Sequence, residues 1–79
     1  MKVLFFVQIR SFTACDQIDL VVTEPINARQ LWAELERRFP RIETFKSSTR
    51  LACNSAYVNA DHTFHPGDEV ALLSPVSGG

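Results

Sequence analysis

One stretch of this chain carries a clear helical repeat, and that single fact limits the fold more than any other. Ala28, Leu31, Trp32, Leu35 and Phe39 recur at the spacing of one helix face, while Arg29, Glu36 and Arg37 fall off the stripe. Asn27 precedes the run and Gln30 stands three residues on, the pattern of a capping box. Ile26, before the cap, is placed to pack back on Leu31. Arg37 and Arg38 suit the negative end of the helix dipole, and Pro40 ends the run. The stripe reads as a sheet-covering face rather than a cofactor box. The chain has only 79 residues, room for one domain and no more. A single helix can cover only one face of a sheet, so the expected fold is a two-layer α+β domain.

The remaining segments supply the sheet. Residues 2–10 are rich in β-branched and aromatic types. Alternation sets Val3, Phe5, Val7 and Ile9 on one face, and Leu4, Phe6, Gln8 and Arg10 on the other. Residues 11–16 read as a connection, and residues 17–23 as a hairpin partner of the first strand. Residues 41–50 are polar and basic, a loop or short irregular helix. Leu51–Asn54 and Ala56–Val58 read as a strand with a turn or kink around Asn54-Ser55, and Tyr57 as lying on the middle strand. Residues 59–61 form a turn, Thr63-Phe64 a short edge strand, and Glu69–Leu73 the last strand. His65-Pro66-Gly67-Asp68 between them fits a type II turn. First and last strands can pair in parallel because the helix supplies the crossover. That layout is a ubiquitin-like β-grasp, a mixed sheet on one main helix, with domain 1–73 and a tail 74–79.

Several function classes are excluded. The net charge of −1 gives no electrostatic case for nucleic acid or an anionic membrane. The opening apolar run is too short to span a bilayer, and no small-residue cleavage site follows it. Cys15 and Cys53 are far apart and form no CxxC, so they read as reduced thiols of a cytoplasmic protein. His62 and His65, with Asp61 and Asp68, lack a four-ligand set and a neighbouring cysteine in sequence. They read as exposed turn residues, and no metal is expected. There is no P-loop and no nucleophile elbow. The chain is not expected to act as an enzyme alone.

What remains is the tail. Of three glycines, two are the terminal Gly78 and Gly79. Without Cβ atoms they make a narrow thread that can enter a partner's active site, and Pro75 stiffens its base. A terminal carboxylate can be activated as an acyl-adenylate and then attacked by a nucleophile.

The chain resembles the small subunits of molybdopterin synthase, the ubiquitin-like sulfur carriers of molybdenum cofactor biosynthesis. The likeness rests on Val3–Arg10, the Pro25-Ile26-Asn27 approach to the helix, the Ala52–Val58 strand pair, and Gly67–Gly79 with its Gly-Asp-Glu turn and Pro-Val-Ser-Gly-Gly end. Ser74 stands where the family often has a second proline. The resemblance implies that an E1-like enzyme, using ATP and Mg²⁺, adenylates Gly79. A sulfur donor then leaves a thiocarboxylate there. Pro75, Val76, Ser77 and Gly78 thread into the large subunit of the synthase, where the sulfur attacks cyclic pyranopterin monophosphate to build the dithiolene. Phe6, Tyr57 and Leu73, with Arg10 as a rim charge, are the expected partner interface. The alternatives are a thiamine-thiazole sulfur carrier, a protein-conjugating modifier, and a plain interaction module.

Overall fold

The structure, a computed structural model, describes residues 1–6 and 13–73. β1 (Lys2–Phe5) buries Val3 and Phe5 and turns Lys2 and Leu4 outward, as alternation predicts. β2 (Gln17–Asp19) pairs with it antiparallel, Val3 facing Ile18. β2 is shorter than the expected 17–23. Leu20 meets Met1 through two hydrogen bonds, its N–H donating to the Met1 carbonyl at 2.8 Å and the Met1 ammonium to the Leu20 carbonyl at 2.9 Å. Beyond Leu20 no residue of β1 stands opposite, and Val21 is exposed.

β3 (Ile26–Asn27) leads directly into α1 (Ala28–Arg38). The capping box is present: the Gln30 N–H donates to Asn27 Oδ1 at 2.8 Å, and the Asn27 N–H to Gln30 Oε1 at 2.9 Å. Both orphan donors are thereby satisfied. Ala28, Leu31, Trp32 and Leu35 are buried. Phe39 caps the helix and meets Phe5 edge-on, ring centroids 5.7 Å apart. On the outer side Arg37 pairs with Glu34 at 3.0 Å.

Pro40 ends α1 and opens a 3-10 helix (Pro40–Ser48) where the sequence left loop and irregular helix open. Ile42 drops from it into the core, fully buried. The Thr49 hydroxyl donates to the Phe45 carbonyl at 2.6 Å, closing the segment. Lys46 ties it back to Glu36 of α1 at 3.4 Å.

β4 (Arg50–Cys53) and β5 (Ala56–Tyr57) form a hairpin, so the break at Asn54-Ser55 is a turn rather than a kink. Asn54 and Ser55 between them have φ of 50° and 74°, the two positive values of a type I′ turn. β6 (Thr63–Phe64) pairs with β3, making a separate two-stranded ladder. β7 (Glu69–Leu73) lies in the middle of the main sheet, whose order is β2-β1-β7-β4-β5. It runs parallel to β1, Val3 beside Val70, and antiparallel to β4, Leu51 beside Leu72. Tyr57 therefore sits on an edge strand, not the middle one.

One face of this sheet gives Val3, Phe5, Val70, Leu72, Leu51 and Cys53 to the core, against Leu31, Trp32 and Leu35 of α1 with Ile42 and Phe64. The fold is the expected α+β ubiquitin-like β-grasp. The turn at residues 65–68 is present, with the Asp68 N–H donating to the His65 carbonyl at 2.9 Å, but it is not type II. Gly67 has no positive φ, and a Cβ there would meet nothing within 4 Å. The Asp68 carboxylate shapes the turn instead, accepting the His65 N–H at 2.8 Å. No helix of the described residues is long and apolar enough to cross a membrane.

Candidate functional site

The sheet face turned away from α1 is set by register. Lys2 lies beside Glu69 and Leu4 beside Ala71, and Phe6 and Leu73 each follow one residue past the paired Phe5 and Leu72. Across β7, Arg50 faces Leu73 and Ala52 faces Ala71; Ala52 also faces Tyr57. The face is graded. At one end Lys2 and Glu69 form an ion pair at 3.8 Å. At the other stand Phe6, 45% exposed, and half-buried Leu73, while Tyr57, 66% exposed, lies one row in, level with Ala52 and Ala71. Monomeric domains rarely group large apolar side chains outward without a partner for them.

Alternation thus puts Phe6 and Leu73 on the same face, each next to the last paired residue of its strand. Tyr57 shares their face two strands from Leu73, with the small Ala71 and Ala52 between the two groups. Arg50 was not singled out from the sequence, which placed it in a basic loop. It begins β4, and its guanidinium stacks 4.8 Å from the centre of the Tyr57 ring. It supplies a cation beside the apolar end. Arg10, Pro75, Val76, Ser77, Gly78 and Gly79 lie outside the described residues. The last described residue, Leu73, ends β7 at the apolar end.

The opposite end of β7 is organised by one carboxylate. Asp68 accepts from the His65 N–H at Oδ2, from the Cys53 thiol at Oδ2 (3.3 Å), and from Asn54 Nδ2 at Oδ1 (3.2 Å). The His65 N–H, foremost, holds the Asp68 carboxyl below the usual carboxylate range, with Asn54 and Cys53 adding to it. Burial, and then the Asp68 carboxylate beside it, pushes the Cys53 thiol up to about 11. At neutral pH the thiol is protonated and a poor nucleophile. Cys53 and Cys15 are both free, Cys53 buried and Cys15 half-buried.

Of the two histidines expected to be exposed turn residues, His65 is one and His62 is not. His62 is half-buried, its ring edge-on to Phe64 at 4.9 Å; His65 is exposed. The absence of a neighbouring cysteine was a property of the sequence, not of the fold. Folding sets Cys53 beside His62 and Asp68.

Comparison with known proteins bears on the face and the tail. The profile of the ThiS family matches residues 3–79. The human molybdopterin synthase sulfur carrier subunit is 32% identical over 82 residues, covering all of this chain and 93% of that protein. Among solved structures, SAMP1 from Haloferax volcanii superposes with a TM-score of 0.84 at 19% identity, over 99% of this chain and 97% of that one. Subunit 1 or 2 of molybdopterin-converting factor from Helicobacter pylori, solved as a complex of the two, matches with a TM-score of 0.71 at 23% identity, over 99% and 96% of the chains. With its profile matched to the last residue and a full-length relative above 30% identity, the chain belongs to the ThiS family, with the sulfur carrier subunits of molybdopterin synthase.

Proposed function

We propose that this chain carries sulfur on its own last carboxylate. An E1-like enzyme, with ATP and Mg²⁺, adenylates Gly79. A sulfur donor displaces AMP and leaves a thiocarboxylate. The carrier then docks on the large synthase subunit by the Phe6, Leu73 and Tyr57 face, with Arg10 and Arg50 as cations at its rim. Pro75, Val76, Ser77 and Gly78 thread into that subunit's active site, and the thiocarboxylate sulfur attacks cyclic pyranopterin monophosphate. The nucleophile is anionic at neutral pH, and the substrate pocket belongs to the partner.

One observation carries the reading: similarity over the full length to molybdopterin synthase sulfur carrier subunits, reaching the terminal Gly78-Gly79. The geometry is compatible with it. β7, the strand that precedes the last six residues, lies in the centre of the sheet and ends at Leu73, where the outer face is apolar. The complex of subunits 1 and 2 among the solved structures supports a large-subunit partner.

The test is intact mass after incubation with the activating enzyme, ATP, Mg²⁺ and a sulfur source. The expected result is the mass gain of one oxygen replaced by sulfur, abolished by deleting Gly79. An unchanged mass under conditions that modify a known carrier overturns the proposal.

A further inference from the structure

The Cys53 sulfur, a ring nitrogen of His62 and a carboxylate oxygen of Asp68 all lie within 4.8 Å of one another. We propose that these three side chains form a binding site for a zinc-like divalent cation, at the end of the sheet away from the tail.

The three ligands come from three separate segments: the end of β4, the residue before β6 and the residue before β7. Tetrahedral zinc, with bonds of about 2.0–2.3 Å, sets its ligand atoms roughly 3.3–3.8 Å apart. The Cys53 sulfur and Asp68 Oδ2 are already 3.3 Å apart. Closing the triangle therefore asks for about an ångström of movement at His62. The carboxylate is oriented from behind: Asn54 Nδ2 holds Oδ1. Such outer partners fix ligand geometry in metal sites.

The donor set selects the class of ion. One sulfur, one imidazole nitrogen and one carboxylate oxygen suit zinc and its first-row neighbours, whereas magnesium and calcium prefer all-oxygen sites. A thiolate and a carboxylate together neutralise a divalent cation, and neutral His62 lends its lone pair. Binding replaces the S–H bond of Cys53 with a sulfur–metal bond and releases that proton to solvent. No redox change is involved. Water fills the fourth position, since the site is half-open at His62 and Asp68. An ion held there ties the β4–β5 hairpin to the two turns that flank β6.

The site lies at the Asp68 end of β7, five residues or about 17 Å from Leu73. It shares no residue with the proposed docking face, and its test is separate from the carrier test.

The full chain, stripped of metal and kept reduced, is titrated with Co²⁺ and then with Zn²⁺. One equivalent of Co²⁺ is expected to give a thiolate-to-cobalt charge-transfer band, which Zn²⁺ bleaches. Cys53→Ser should abolish the band, and Cys15→Ser should leave it intact. His62→Ala keeps the thiol and the core, and should weaken Co²⁺ binding at least ~10-fold. Zn²⁺ should also raise the melting temperature of the wild type but not of His62→Ala. No band in the wild type, a band lost in Cys15→Ser, or affinity unchanged in His62→Ala would overturn the site.

Discussion

Asp68 does more for this fold than any other polar side chain described. It collects a backbone N–H, an amide N–H and a thiol, and so joins the turn before β7 to the β4–β5 hairpin. Asp68→Ala leaves three donors without their acceptor. In metal-free protein it should cost about 1–3 kcal/mol, read from urea unfolding at neutral pH. The sign of the pH dependence follows from the lowered carboxyl. Its stabilisation is present above the unfolded value of about 4 and is lost as pH falls through the folded value. The stability gap between wild type and Asp68→Ala should therefore shrink from pH 6 to pH 3, within about that range. The Cys53 thiol works the other way: its contribution is complete below its unfolded value near 8.5 and fades as pH rises toward about 11. None of this was legible in the sequence. Asp68 read as a turn residue, and its partners Cys53 and Asn54 lie 15 and 14 residues away. Gly67, which seemed to define the turn, does not: the carboxylate one residue later does.

Among elements, those built from local chemistry were readable and those built from long-range packing were not. The N-terminus of α1 was visible because Asn27 and Gln30 satisfy each other within one turn. The 3-10 helix was readable only as one of two options, loop or short irregular helix, because Ile42 is its one fully buried side chain and shows no period. β3 was missed because Ile26 and Asn27 also read as the staple and cap of α1, and those local roles hid their pairing with β6. The Asn54-Ser55 turn was placed correctly, but its kind depends on backbone angles. Those angles make a paired prediction. Ser55, at φ 74°, occupies a conformation that favours glycine, so Ser55→Gly should stabilise by about 0.5–1 kcal/mol. Asn54 tolerates positive φ, and its amide serves Asp68 and accepts the Glu69 N–H at 3.0 Å. Asn54→Gly should therefore destabilise despite the same backbone relief. Thermal unfolding of the two variants side by side checks both signs.

For the whole molecule, the parallel pairing of first and last strands was deduced from the lone helix, and β7 does lie beside β1. The sequence did not show that β4 covers its other side, nor that Arg50 joins the outer face. The outer face carries the prediction at this scale. Phe6 is 45% exposed and stands on the side away from the α1 core. Phe6→Asp should weaken binding to the large synthase subunit at least ~10-fold while leaving the melting curve near wild type. Calorimetry with the purified subunit decides it, and unchanged affinity would remove Phe6 from the interface. The central position of β7 also has a mechanical meaning. A partner that grips the last six residues and draws on them loads β7 along its own axis. The ladders to β1 and β4 then resist in shear, their hydrogen bonds sharing the force, and there are two such ladders where an edge strand would have one. The chain can be held by its end without that pull starting to unravel the domain.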